Sequence, residues 1–234
     1  MKTTTTKCLS LFALLMVSQV TVASETPMLD PWPWQAQFHP KVKAHTVFDM
    51  QGSGDDAVVN TTANKSYGSW VDAFKAPKVL HELAWRWAVL KQPEGANLKK
   101  KEGDDAAAKV CVFVHIDESR LSFGTRMELG AARMVSSEPL PAATLCYVWG
   151  NGSARVNDVF PNPYTGLVIN WVLQNEPEST RWVDEQRDLQ ADARRVFSKL
   201  LPDGAVQFEG VAFGSDSDNT ASLAKARFAG FFAR

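Results

Sequence analysis

The densest group of side chains able to do chemistry is Gly214-Ser215-Asp216-Ser217-Asp218-Asn219-Thr220, directly after the apolar run 206–213. Two carboxylates and an amide within four residues are oxygen ligands of the kind that a hard cation such as calcium takes. The same residues also suit an Asx-rich turn, in which side chains bond to their own backbone. In extended chain a spacing of two points Asp216 and Asp218 the same way, so they can converge on one partner. Like charges at that range repel unless a cation lies between them. Calcium held by Asp216 and Asp218 is one candidate for that cation, and an arginine, Arg86 or Arg187, is the other.

A second polar group, Glu185, Arg187, Asp188 and Asp192, follows Trp182. Asp188 suits a helix cap, and Arg187 a fork that clamps carboxylates or hydroxyls. Arg86 stands between Trp85 and Trp87, a pairing that serves simple stacking or the recognition of sugar rings and anions. His39, His45, His81 and His115 are scattered. There is no Gly-x-Ser-x-Gly elbow, phosphate-binding loop, dinucleotide glycine motif or paired-histidine zinc motif. A glycosidase or lyase would have to draw two facing carboxylates from Glu82, Asp104, Asp105, Glu185, Asp216 and Asp218.

The elements that must position these groups are mostly strands. Segments rich in β-branched and aromatic residues, separated by Gly, Asp, Asn and Pro, predict strands near 46–50, 57–62, 66–72, 79–90, 110–116, 144–149, 166–173, 206–213 and 226–232. In 81–89, Leu83, Trp85, Trp87 and Val89 alternate with Glu82, Ala84, Arg86 and Ala88, which predicts one face in a core. Thr125-Arg126-Met127-Glu128 reads as a capping box, followed by Met127, Ala131, Met134 and Val135 at helical spacing. A second helix over 188–201 carries the stripe Leu189, Ala193, Val196, Phe197 and Leu200, and Pro202 stops it. Strands without regular helix alternation predict an all-β fold, a two-sheet antiparallel jelly-roll-like sandwich with two peripheral helices. The run Lys99-Lys100-Lys101-Glu102-Gly103-Asp104-Asp105 reads as a solvated connection.

Lys2 and Lys7, an apolar run 9–17 and small residues up to Ala23 predict a signal peptide over 1–23. Residues 24–44, with Pro31-Trp32-Pro33-Trp34, predict an extended arm, and 45–234 the sandwich. Without the leader's two lysines the chain carries 23 basic and 26 acidic residues, a net charge of −3, which calls for no nucleic-acid partner. No apolar run reaches the length of a membrane span, so stable insertion is not expected. Export to the periplasm lets Cys111 and Cys146 form a disulfide, and two separate buried thiols are the alternative. Eight tryptophans serve either core filling or stacking on sugar rings.

Five strings in this order, Leu83-Ala84-Trp85-Arg86-Trp87, Gly103-Asp104-Asp105-Ala106-Ala107-Ala108-Lys109-Val110, 140–149, 182–188 and 210–220, resemble a bacterial exported family, the domain of unknown function DUF3047. The resemblance covers 45–233. It implies an outline similar to carbohydrate-binding jelly-roll domains, and a polar signature on Arg86, Asp104, Asp105, Arg187, Asp216, Asp218 and Asn219. Lys109 stands where the family usually has arginine, and Ser217 where it has threonine. Three functions follow as expectations: a periplasmic, non-catalytic glycan-binding module; a carbohydrate-active enzyme with paired carboxylates; or an envelope assembly factor that uses a sheet edge or the proline-tryptophan arm.

Overall fold

The computed structural model describes residues 34–38, 41–136 and 140–234. The predicted leader lies outside the described residues, as does most of the arm. Twelve strands are described: β1 (Gln35–Gln37), β2 (Val47–Gln51), β3 (Val58–Asn64), β4 (Tyr67–Val79), β5 (Glu82–Lys91), β6 (Lys109–Val114), β7 (Ala143–Trp149), β8 (Val159–Asn162), β9 (Thr165–Gln174), β10 (Val183–Asp188), β11 (Gln207–Asp216) and β12 (Leu223–Ala233). They form a seven-stranded sheet, β1-β4-β11-β6-β7-β9-β8, and a five-stranded sheet, β10-β5-β12-β3-β2. This is the predicted two-sheet β fold, antiparallel except that β7 and β9 run parallel.

The inner faces meet in an aromatic core. Trp85 and Trp87 of β5 are buried, and they face Tyr147 and Trp149 of β7 with ring centroids 5.4 and 5.6 Å apart. Phe213 packs on Phe228 and Phe231, and Trp34 from the arm closes over the same group. Every residue of β7 is buried. Its outer face lies under Leu98, Ala106 and Ala154 from neighbouring loops, which explains why its sequence reads as one apolar run without alternation. On that outer face Cys111 and Cys146 stand opposite each other in register and form a disulfide.

Several boundaries differ from expectation for local reasons. The strand expected over 79–90 is broken at Leu80-His81: β4 ends at Val79 and β5 begins at Glu82. Helix α1 (Phe123–Val135) starts before the expected box, because the Ser122 hydroxyl accepts from the Thr125 amide at 3.1 Å. Met127 and Met134 are exposed and Leu129 is the buried anchor of α1. Helix α2 (Leu189–Phe197) is capped as expected by Asp188, which accepts from the Ala191 amide at 2.9 Å. Strand β10 comes from the charged run Val183-Asp-Glu-Gln-Arg-Asp and pairs with β5 as a sheet edge, where charge blocks further pairing. Among the described residues no helix is long and apolar enough to cross a membrane.

Because Trp85 and Trp87 fill the space between the sheets, Trp87→Ala is expected to lower the unfolding free energy by about 3–5 kcal/mol. Urea denaturation measures it, and near-wild-type stability would place that ring outside the core.

Candidate functional site

At one end of the sandwich β11 stops, β6 begins, and three connections meet: 97–108, 162–165 and 217–222. Five of the seven residues of the polar signature, Asp104, Asp105, Asp216, Asp218 and Asn219, are brought together here. The backbone approach is close: a Cβ at Gly214 would collide with the Gly68 carbonyl oxygen across the β4–β11 pair.

Asp105 is fully buried. Its Oδ1 accepts from the Asn219 amide and Nδ2 at 3.1 and 3.3 Å, and its Oδ2 accepts from the Thr220 amide and hydroxyl at 2.7 and 2.6 Å. Four donors on one carboxylate match its lone-pair capacity, so Asp105 ties the 97–108 connection to the turn after β11. Asp216, 3 % exposed, accepts from the Ala106 amide at 2.6 Å through Oδ1 and from the Lys109 ammonium through Oδ2. Both partners donate, which favours the ionised form, while burial pushes the carboxyl up to about 7 against the pull of Lys109. Burial also works against the Lys109 charge, but the carboxylates of Asp216 and Asp104 outweigh it and hold the ammonium protonated.

For Asp216 the cation is Lys109, in place of the calcium, Arg86 or Arg187 expected. The register explains it: Lys109 opens β6 directly opposite Gly214, and its long stem spans the two residues to Asp216. Asp218 sits in the turn rather than in extended chain, yet carboxylate oxygens of Asp105, Asp216 and Asp218 lie within 4.8 Å of one another. As a calcium site this set fits poorly, since the oxygens of Asp105 and Asp216 are already committed to donors. The connection 99–105 is also more than a solvated loop: Lys99 to Glu102 are exposed, whereas Gly103, Asp104 and Asp105 are buried.

The solvent side of the cluster is less saturated. Asp104 is 8 % exposed and its Oδ2 accepts from Asn162 Nδ2 at 2.5 Å. Among the described residues no hydrogen bond reaches its Oδ1. Burial raises the Asp104 carboxyl above its ordinary range, partly offset by Lys109 and the Asn162 bond. Beside it Tyr164 is half exposed, with its hydroxyl 2.9 Å from both the Lys101 carbonyl and Asn219 Oδ1. Beneath, Ser215 Oγ lies 2.6 Å from Thr61 Oγ1 and donates to the Ala107 carbonyl, while Ser217 Oγ donates to the Ala63 carbonyl. This hydroxyl seam joins the two sheets. Asn162, Tyr164 and Thr61 carry no sign in the sequence, whereas Ser215 and Ser217 stand in the polar run and Lys109 at a position where arginine is usual.

Arg86 and Arg187 lie elsewhere. Arg187 grips Asp192 with two bonds of 2.8 and 2.9 Å, and Tyr147 OH donates to the same carboxylate, a bridge from β10 to α2 and β7. Arg86 lies on the outer face of the five-stranded sheet, 3.7 Å from Asp184. Of the other carboxylates considered, Glu82 pairs with Arg234, and Glu185 accepts from Gln174 and Trp87. His115 is bonded to Glu209 and His45 stacks on Phe38, so these two serve separate local contacts; His39 is outside the described residues.

The model of the family described as "Protein of unknown function (DUF3047)" matches residues 32–232. No curated protein matches the sequence. Among solved structures, similarity is found to the xyloglucanase domain of NopAA, a type three effector from Sinorhizobium fredii, in complex with cellobiose, at 12 % identity over 86 % of this chain and 92 % of that one, TM-score 0.44. A thermo-stable cellulase derived from Cel12A of Rhodothermus marinus is similar at 12 % identity over 86 % and 95 %, TM-score 0.43.

Lys109→Ala leaves Asp216 buried without its cation, which is expected to cost about 3–5 kcal/mol at neutral pH. A carboxyl raised by burial binds its proton more readily folded than unfolded, so ionising it destabilises the fold as pH rises. The deficit of the variant should therefore shrink as pH falls from neutral towards the ordinary aspartate value of 3.8. Urea unfolding of wild type and variant at about pH 7.5 and about pH 4.5 measures this, and an equal deficit at both would contradict it. Calcium should leave the wild-type melting temperature unchanged.

Proposed function

The chain belongs to the DUF3047 family, and from that premise we propose that it is a non-catalytic glycan-binding module, exported by its N-terminal leader and working in the periplasm. The observation that carries this reading is Asp104. Its Oδ1 accepts no hydrogen bond from the described residues and is not sealed from solvent, so it is an acceptor open to a donor from a ligand. Sugar hydroxyls are such donors. Tyr164 is half exposed, and the ring face away from the Lys101 ammonium suits a pyranose face; the Asn162 amide, which gives one of its two N–H groups to Asp104, lies beside it.

Binding rather than catalysis is favoured by the state of the neighbouring carboxylates. A glycosidase needs one carboxyl free to give a proton and another free to attack or to activate water. Asp105 and Asp216 have all their oxygens engaged with donors of the protein itself. The disulfide between Cys111 and Cys146 fits an oxidising compartment, as export supplies.

A glycan array probed with wild type, Asp104→Asn and Tyr164→Ala tests the reading. The expected result is a defined set of glycans bound by wild type, weakened at least about tenfold, or about 1.4 kcal/mol, in each variant, with no release of reducing sugar. Absence of binding to any glycan would overturn it, and sugar release lost in Asp104→Asn would favour the enzyme instead.

A further inference from the structure

A second surface, sharing no residue with the polar end, is built on the outer face of the five-stranded sheet. Outward positions of β10, β5 and β12 fall in rows. Asp184, Arg86 and Ala229 lie side by side in one row. In the next, Ala88 is flanked by Arg227 on β12 and by Trp182, one residue before β10. The alanines are too short to fill their rows, so the long neighbours lie over them: Ala88 and Ala229 are buried although they point outward. As a result both guanidiniums come to rest at one ring, Arg86 at 5.0 Å and Arg227 at 4.6 Å from the Trp182 centroid.

These cations are under-used. Arg86 has one long contact, 3.7 Å, to a largely exposed Asp184. Arg227 donates through Nη2 to the Thr180 carbonyl at 2.5 Å, while its Nε is buried with no hydrogen-bond partner. Lys225 follows two residues along β12 and is exposed, so Lys225, Arg227 and Arg86 step along the strand direction at about 7 Å per pair of residues. A row of cations beside an aromatic ring, Arg86 and Lys225 exposed among them, suits a linear chain that repeats a carboxylate and an apolar ring face. The exposed carboxylates Asp184 and Asp49 on the same face would repel a phosphate backbone, but they can accept from hydroxyls, which a sugar chain carries on every unit.

We propose that this sheet face, through Arg86, Arg227 and Trp182, binds an anionic polysaccharide of the polyuronate class. Polygalacturonate is the probe, with its methyl-esterified form as the same backbone without charge and double-stranded DNA as a different polyanion. Isothermal titration of wild type is expected to give binding to polygalacturonate that is at least tenfold weaker for the esterified chain and for DNA. Arg86→Glu and Arg227→Glu should each weaken it at least tenfold, whereas Lys75→Glu, an exposed charge reversal on the other sheet, should not. Melting curves confirm folding, and Arg86→Gln with Arg227→Gln serve if a reversal unfolds the chain. No binding of polygalacturonate, equal binding of the esterified chain or DNA, or equal loss in Lys75→Glu would each overturn the proposal. Glycan-array results for Asp104→Asn bear on the polar end alone, so the two readings fail separately.

Discussion

Burying ionised carboxylates is the constraint around which one end of this molecule is organised. A charge taken from water must find a counter-charge or a full set of donors, or its desolvation outweighs what the surrounding fold gains. Asp105 meets the requirement with four donors from Asn219 and Thr220, and Asp216 with one amide and one ammonium. Because those donors come from the 97–108 connection, the start of β6 and the turn after β11, satisfying the charges fixes the relative position of three separate stretches of chain. The seam of Thr61, Ser66, Ser215 and Ser217 extends the same logic across the sheets, since each hydroxyl there is buried and each is hydrogen-bonded.

The aromatic core solves a different problem. Two sheets packed face to face leave wide gaps unless large side chains interdigitate, and Trp85, Trp87, Tyr147 and Trp149 do so in edge-to-face and tilted pairs. Near its margin a polar bridge replaces apolar contact: Arg187, Asp192 and Tyr147 link the edge strand β10 to α2 and to β7. The outcome is a sandwich with an aromatic interior and a dense cluster of buried carboxylates at one end.

Much of this was legible in the sequence where a single physical requirement acts locally. Alternation in 81–89 located β5 and its buried tryptophans, because a strand has only two faces. Asp188 before the Leu189 stripe located α2, because helix amides need an acceptor. Legibility failed where the decisive partner is distant in sequence. Arg187 reads as a fork for carboxylates or hydroxyls and does hold the carboxylate of Asp192 on the next element, but nothing local distinguishes a structural fork from a binding one. Lys109 pairs with Asp216 across 107 residues, through a register that only the folded sheet defines. Strand β8, with Pro161, and strand β10, with four charges, lack strand-like composition because edges must resist pairing.

The polar end depends on the Lys109–Asp216 pair acting as one unit rather than as two independent side chains. A double-mutant cycle with Lys109→Met, Asp216→Asn and the double variant, read by urea unfolding at neutral pH, tests this directly. The double variant is expected to lose clearly less stability than the two singles together, with a coupling of about 2 kcal/mol or more. Additivity within about 0.5 kcal/mol would contradict it and would leave the polar end without its organising charge pair.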